Sequence, residues 1–114
     1  MAPPRANFQE VYAAGERIAD LSPSQQYDPA GAALRHFGAY DFQRDKATNS
    51  FFTAYVPAAN YAVGVYMAAA GYNLINTHLI SETYALRNSN NALTYSDRKW
   101  ITRGWEDAKA GYWK

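Results

Sequence analysis

The chain has 114 residues, a formal net charge of +1 from 11 Lys and Arg against 10 Asp and Glu, and no cysteine. One domain of this length can bury roughly two-thirds of its unfolded surface without staples. The absence of cysteine excludes disulfides, thiolate metal sites and cysteine nucleophiles, and the near-neutral balance makes nucleic acid a possible but not a favoured partner.

Asn7 with Glu10 three residues on has the form of a capping box and predicts a first helix over Phe8–Leu21, with Phe8, Val11, Tyr12, Gly15 and Ile18 on one face. Ser22-Pro23-Ser24 reads as its end. Asp28 as N-cap and Pro29 at the first helical position predict a short second helix, with Ala33, Leu34 and Phe37 on its apolar face and Gly38 as C-cap. From Ala39 to Val56 the period changes: Tyr40 to Arg44 alternates, Phe51 to Val56 is strand-like, and a polar turn lies between, which predicts one β-hairpin over 40–56.

Pro57 then opens a helix over Ala58–Gly71 that is apolar nearly all round, the pattern of a buried core helix. A fourth helix is expected over Leu74–Arg87 behind an Asn73 cap. A fifth starts near Tyr95 behind the capping pair Thr94 and Asp97, with Trp100, Ile101, Gly104, Trp105 and Ala108 as its buried stripe. The fold class is therefore mainly α (α+β): about five helices packed around a central buried helix (58–71) with one β-hairpin (40–56). The chain forms a single domain over 1–114, with residues 1–6 expected to be disordered. Nothing after Met1 reads as a signal peptide, and no membrane span is expected, because the longest apolar segment falls short of the roughly 20 residues a span needs.

Several polar residues stand where an apolar one would be expected. His78 and Glu82, four residues apart, fall inside the apolar arc of Leu74, Ile75, Leu79, Ala85 and Leu86 on the fourth helix, so they can touch. They form either a satisfied structural pair or a general acid whose pKa burial raises. Asn60 is the one strongly polar side chain of the central helix and either pins a neighbouring segment or orients a ligand. Asp41 and Gln43 share one face of the expected hairpin and Arg44 the other, with His36 just before it; a half-exposed hairpin with ion pairs or a substrate-positioning group would look alike. Phosphate-loop, serine-elbow and Cys/His zinc spacings are absent from the sequence, and neither a metal nor a cofactor is expected.

Three blocks carry a resemblance: Phe37-Gly38-Ala39-Tyr40-Asp41-Phe42-Gln43-Arg44, then Asn60-Tyr61-Ala62-Val63-Gly64 with Ala70-Gly71-Tyr72, then Trp100-Ile101-Thr102-Arg103-Gly104-Trp105. In order and spacing over residues 36–106 they resemble C-terminal toxin domains of bacterial polymorphic toxins, of the "toxin 44" kind, which share the Asn-Tyr-x-x-Gly helix start and a late glycine-containing helix. The Asp-Phe-Gln-Arg hairpin and the paired tryptophans depart from that group. The resemblance implies an antibacterial effector, secreted or delivered into a target cell on a larger carrier or secretion-system component, neutralised by a cognate immunity protein, and a hydrolase in most instances.

On that footing the expected activity is a peptidoglycan hydrolase using Glu82, His78 and Asp41 as catalytic groups, with Arg44, Asn60, Gln43 and His36 binding substrate. The high aromatic content, ten tyrosines and three tryptophans, suits a sugar-stacking surface. Two alternatives stand beside it. One is a metal-independent nuclease toxin built on His36, His78 and Arg44. The other is a non-catalytic interaction or adaptor domain, which requires the polar anomalies to be satisfied internally.

Overall fold

The computed structural model describes residues 2, 6–35, 38–45, 48, 50–88 and 92–114. The disorder expected for residues 1–6 falls largely outside them. Among the described residues five α-helices carry the fold: α1 (Phe8–Ile18), α2 (Pro23–Leu34), α3 (Val56–Ala69), α4 (Leu74–Asn88) and α5 (Tyr95–Lys109). Among the described residues no helix is long and apolar enough to cross a membrane.

The helix starts follow local chemistry. Asn7 Oδ1 accepts the Glu10 N–H at 3.1 Å, which opens α1 as expected. The second helix begins earlier than Asp28. Ser22-Pro23-Ser24 starts it instead of ending α1: Pro23 occupies the first turn, and the Gln25 side chain accepts the Ser22 N–H at 3.1 Å. A proline in the first turn loses no hydrogen bond, so the same triplet serves as breaker and as start. Pro29 consequently lies inside α2. Gln26 is buried, donates to the carbonyls of Ile18 (2.8 Å) and Leu21 (3.1 Å), and accepts from Tyr72. It thereby satisfies the open end of α1.

The hairpin expected over 40–56 is not shown among the described residues. Only a two-residue antiparallel ladder pairs Arg44 with Phe51 and Asp45 with Ser50, and Thr53–Tyr55 is a turn of 3-10 helix leading straight into α3. Residues 46, 47 and 49 of that hairpin lie outside the described residues.

The central helix is where the sequence places it. Ala62, Val65, Tyr66 and Met67 are buried, and Gly71 ends the segment with φ +96°. α3 packs on α5 and α1 at glycine-mediated crossings: Gly64 faces the backbone of Ile101 and Trp105, Gly104 faces the backbone of Tyr61, and Gly15 faces Tyr66 and Ala69. Without a Cβ at these points the helix axes approach until backbone meets backbone.

An aromatic cluster closes the far end. Phe8 meets Tyr61 at 4.8 Å and Trp113 at 5.4 Å between ring centroids. Trp113 Nε1 donates to the Tyr61 hydroxyl (2.8 Å), which donates to Asp107 Oδ2 (2.6 Å). Burial, reinforced by the hydrogen bond to Asp107, pushes the Tyr61 phenol up to about 12, so it stays a donor at neutral pH.

Candidate functional site

The residues singled out in the sequence divide into three groups, each with its own partners. Asp41 is 5% exposed, and Arg44 Nη1 reaches its two oxygens at 3.1 and 2.9 Å. Gln43 lies beside this pair, its carbonyl accepting the Phe52 N–H at 2.6 Å. A buried carboxylate needs a countercharge, and here the cation comes from three residues along the same segment. His36 lies outside the described residues.

Asn60 forms the second group. Its Nδ2 donates to the Val56 carbonyl at 3.2 Å and to Asp97 Oδ1 at 3.0 Å. Asp97 is the third residue of α5, and its other oxygen accepts the Thr94 N–H at 3.1 Å in a capping box. Asn60 therefore ties α3 to the first turn of α5. Asn60→Ala removes both bonds and loosens the cap; it is expected to cost about 1–2 kcal/mol in a urea titration. An unchanged midpoint would show the tie to be idle.

The third group joins α4 to α5. Arg98 Nη2 meets Glu82 Oε2 at 2.8 Å, and His78 Nε2 lies 2.8 Å from Thr102 Oγ1. Both pairs sum to the same residue number, 180, so the two helices run antiparallel. The pairings of His78 with Thr102, of Glu82 with Arg98 and of Asn60 with Asp97 were missed in the sequence. The available signal was the short spacing in sequence between the two expected helices, which favours antiparallel neighbours.

The histidine's second nitrogen decides what this group can do. Nδ1 is buried without a hydrogen-bond partner, alone in this among the buried side-chain polar atoms of the described residues. An unpaired buried lone pair is less costly than an unpaired N–H, so the ring proton belongs on Nε2, donating to Thr102. A serine-protease-like base needs the reverse: a lone pair facing the hydroxyl and an N–H held by a third group. Burial, with the nearby Arg98 and against the opposing pull of Glu82, lowers the His78 pKa and keeps the ring neutral. The arrangement is a helix-to-helix clamp.

No known family, curated protein or solved structure matches the chain.

The outward side of α4 corrects one expectation. Much of the apolar arc faces solvent: Ile75 is 73% exposed, Leu79 60% and Leu86 51%, while Leu74 and Ala85 are half-buried. Thr77 is the buried residue of α4, and the Thr77 and Ser81 hydroxyls bond back to carbonyls one turn earlier, at 2.8 and 2.7 Å. The helix docks by its small hydroxyl face, and its large side chains are left over. On α5, Ile101, Gly104 and Ala108 are buried as expected, while Trp100 is exposed.

The basic residues of the last third are largely engaged. Arg98 holds Glu82, Arg103 meets Asp107 at 3.3 Å, and the Lys109 ammonium lies 5.7 Å from the centre of the Trp105 ring.

Proposed function

We propose that this chain is an interaction domain whose working surface is the outward side of α4 and the adjoining edge of α5. The observation that carries the reading is the row of large aliphatic side chains on α4, exposed on a helix that had an inward face available to it. Contiguous apolar surface on a folded domain marks a place where another molecule docks. The internal pairing of Asn60, Asp41 and Glu82 supports the same reading, because each of these three side chains has a structural partner. The resemblance to C-terminal toxin domains supplies the setting: a domain carried by a larger effector, meeting a carrier or an immunity protein through this face.

A two-carboxylate hydrolase is the rival reading, and Glu82 and Asp41 each already hold an arginine. The two readings separate in bacteria that express the chain in the cytosol or in the periplasm. An interaction domain gives no growth arrest that depends on Glu82 or His78, and any growth effect tracks Leu79 and Leu86. Arrest relieved by Glu82→Gln or His78→Gln, yet unaltered by Leu79→Ser, would establish the hydrolase and remove the interaction reading.

A further inference from the structure

The exposed aliphatics of α4 have a spacing with its own consequence. Ile75, Leu79 and Leu86, with the half-buried Glu82 between the two leucines, recur at intervals of four, three and four residues, the spacing of a coiled-coil seam, and Ile80, next to Leu79 in the chain, is exposed as well. The neighbouring bank is formed by α5. Its antiparallel register places Tyr95, which is exposed, and Arg98 and Lys99 alongside the stretch from Leu79 to Leu86. Arg87 adds a further exposed cation at the end of α4. Glu82, the one carboxylate of α4, is already held by Arg98. The C-terminal half of the seam thus sets Leu79 and Leu86 on either side of the Glu82–Arg98 ion pair, with Lys99 as the further cation on the α5 side.

We infer that this seam receives an amphipathic helix of another protein, with aliphatic residues at heptad spacing and carboxylates along the edge that meets Lys99. The inference rests on the interaction reading and names the partner's chemistry. Helix-in-groove docking uses this pattern of anchors, and flanking charges choose the partner. A second copy of this chain fits poorly. A two-fold pairing of α4 sets Glu82 against Glu82 or the Arg98–Lys99 edge against its own copy, and like charges meet in either orientation. An anionic membrane fits poorly as well, since a surface-lying helix carries its charges on the polar face and here a carboxylate sits within the apolar row.

The test uses the whole chain and two synthetic helical peptides of about three heptads. Both carry leucine at the seam positions; one has glutamate and the other lysine at the flanks. The glutamate peptide is expected to bind at least about tenfold more tightly than its lysine twin in a fluorescence-anisotropy titration. Leu79→Ser should weaken it by about tenfold or more, and Lys99→Glu should shrink or reverse the preference between the twins. Both positions are solvent-exposed, so circular dichroism and melting should match the parent chain. Raising salt to 1 M, where the Debye length is about 3 Å, should level the twins without abolishing binding. Equal binding of the twins, binding of neither, self-association lost in Leu79→Ser, or binding only to anionic vesicles would each overturn the inference. The interaction reading fails separately, through His78- or Glu82-dependent arrest of growth in cells.

Discussion

Gly64→Ala is expected to lower the unfolding free energy by about 3 kcal/mol and the melting temperature by about 10 °C. In an exposed helix the same change would be favourable by up to about 1 kcal/mol, because alanine is the better helix former. The opposite sign here comes from the crossing of α3 and α5. A Cβ on Gly64 would overlap the Ile101 carbonyl oxygen and lie 2.6 Å from the Trp105 backbone nitrogen. Backbone cannot rotate out of the way as a side chain can, so the two helices must separate, and the buried row of α5 that includes Ile101 and Ala108 would lose contact with α3. Gly104→Ala meets the Tyr61 backbone from the other side of the same crossing and should behave alike. Gly31→Ala in α2 is the control: nothing lies within 4 Å of its Cβ, so the change should be neutral or stabilising. Urea and thermal unfolding of the three variants decide the matter. A Gly64→Ala chain that melts with or above the parent would remove the close-crossing account of the core.

Much of this core was legible because its signals are local or cover a whole helix. Ala58 to Gly71 lacks a polar face, so it had to be central, and the Asn7 and Thr94–Asp97 caps involve residues only three apart. What failed depended on what lay opposite. The row of Ile75, Leu79 and Leu86 has the periodicity of a buried face, but periodicity states only that the row shares one side of a helix. Which side docks was decided by α3 and α5, whose tight glycine-lined crossing leaves α4 a place that suits Thr77 and Ser81. Ser22-Pro23-Ser24 failed for a different reason, since a proline in a first turn and a proline after a last turn look the same from outside. Of the candidate site, the adjacency of His78 and Glu82 was readable from their spacing of four. Their partners were not, nor was the reach of Asn60 to Asp97, 37 residues away. These pairings come from tertiary register, which the sequence does not print.

His78 gives the second large expectation, a pH dependence of the α4–α5 clamp. The groups around the ring are Arg98 and Thr102 from α5 and Glu82 from its own helix, while α3 contributes no charged side chain. Protonation would place an N–H on the buried Nδ1, which has no acceptor, and a positive charge beside Arg98. The folded-state pKa therefore lies below the usual value of 6.5, so a falling pH protonates the unfolded chain first. Stability is unaffected by this group above about pH 6.5 and is lost as pH falls from there towards the folded pKa. One proton sets a ceiling of about 1.4 kcal/mol per pH unit, and the partial exposure of the ring keeps the slope below it. His78→Gln, which preserves a donor towards Thr102, should remove this slope, so the difference between the parent and the variant isolates it from the carboxylates that titrate lower. Urea midpoints between pH 7.5 and 5 provide the measurement, and hydrogen exchange adds the location. Amides of α4 should lose protection first, because that helix buries little apolar surface and exposes its large side chains. Parallel pH profiles for the parent and His78→Gln would show that the ring titrates freely and that the clamp does not depend on its neutrality.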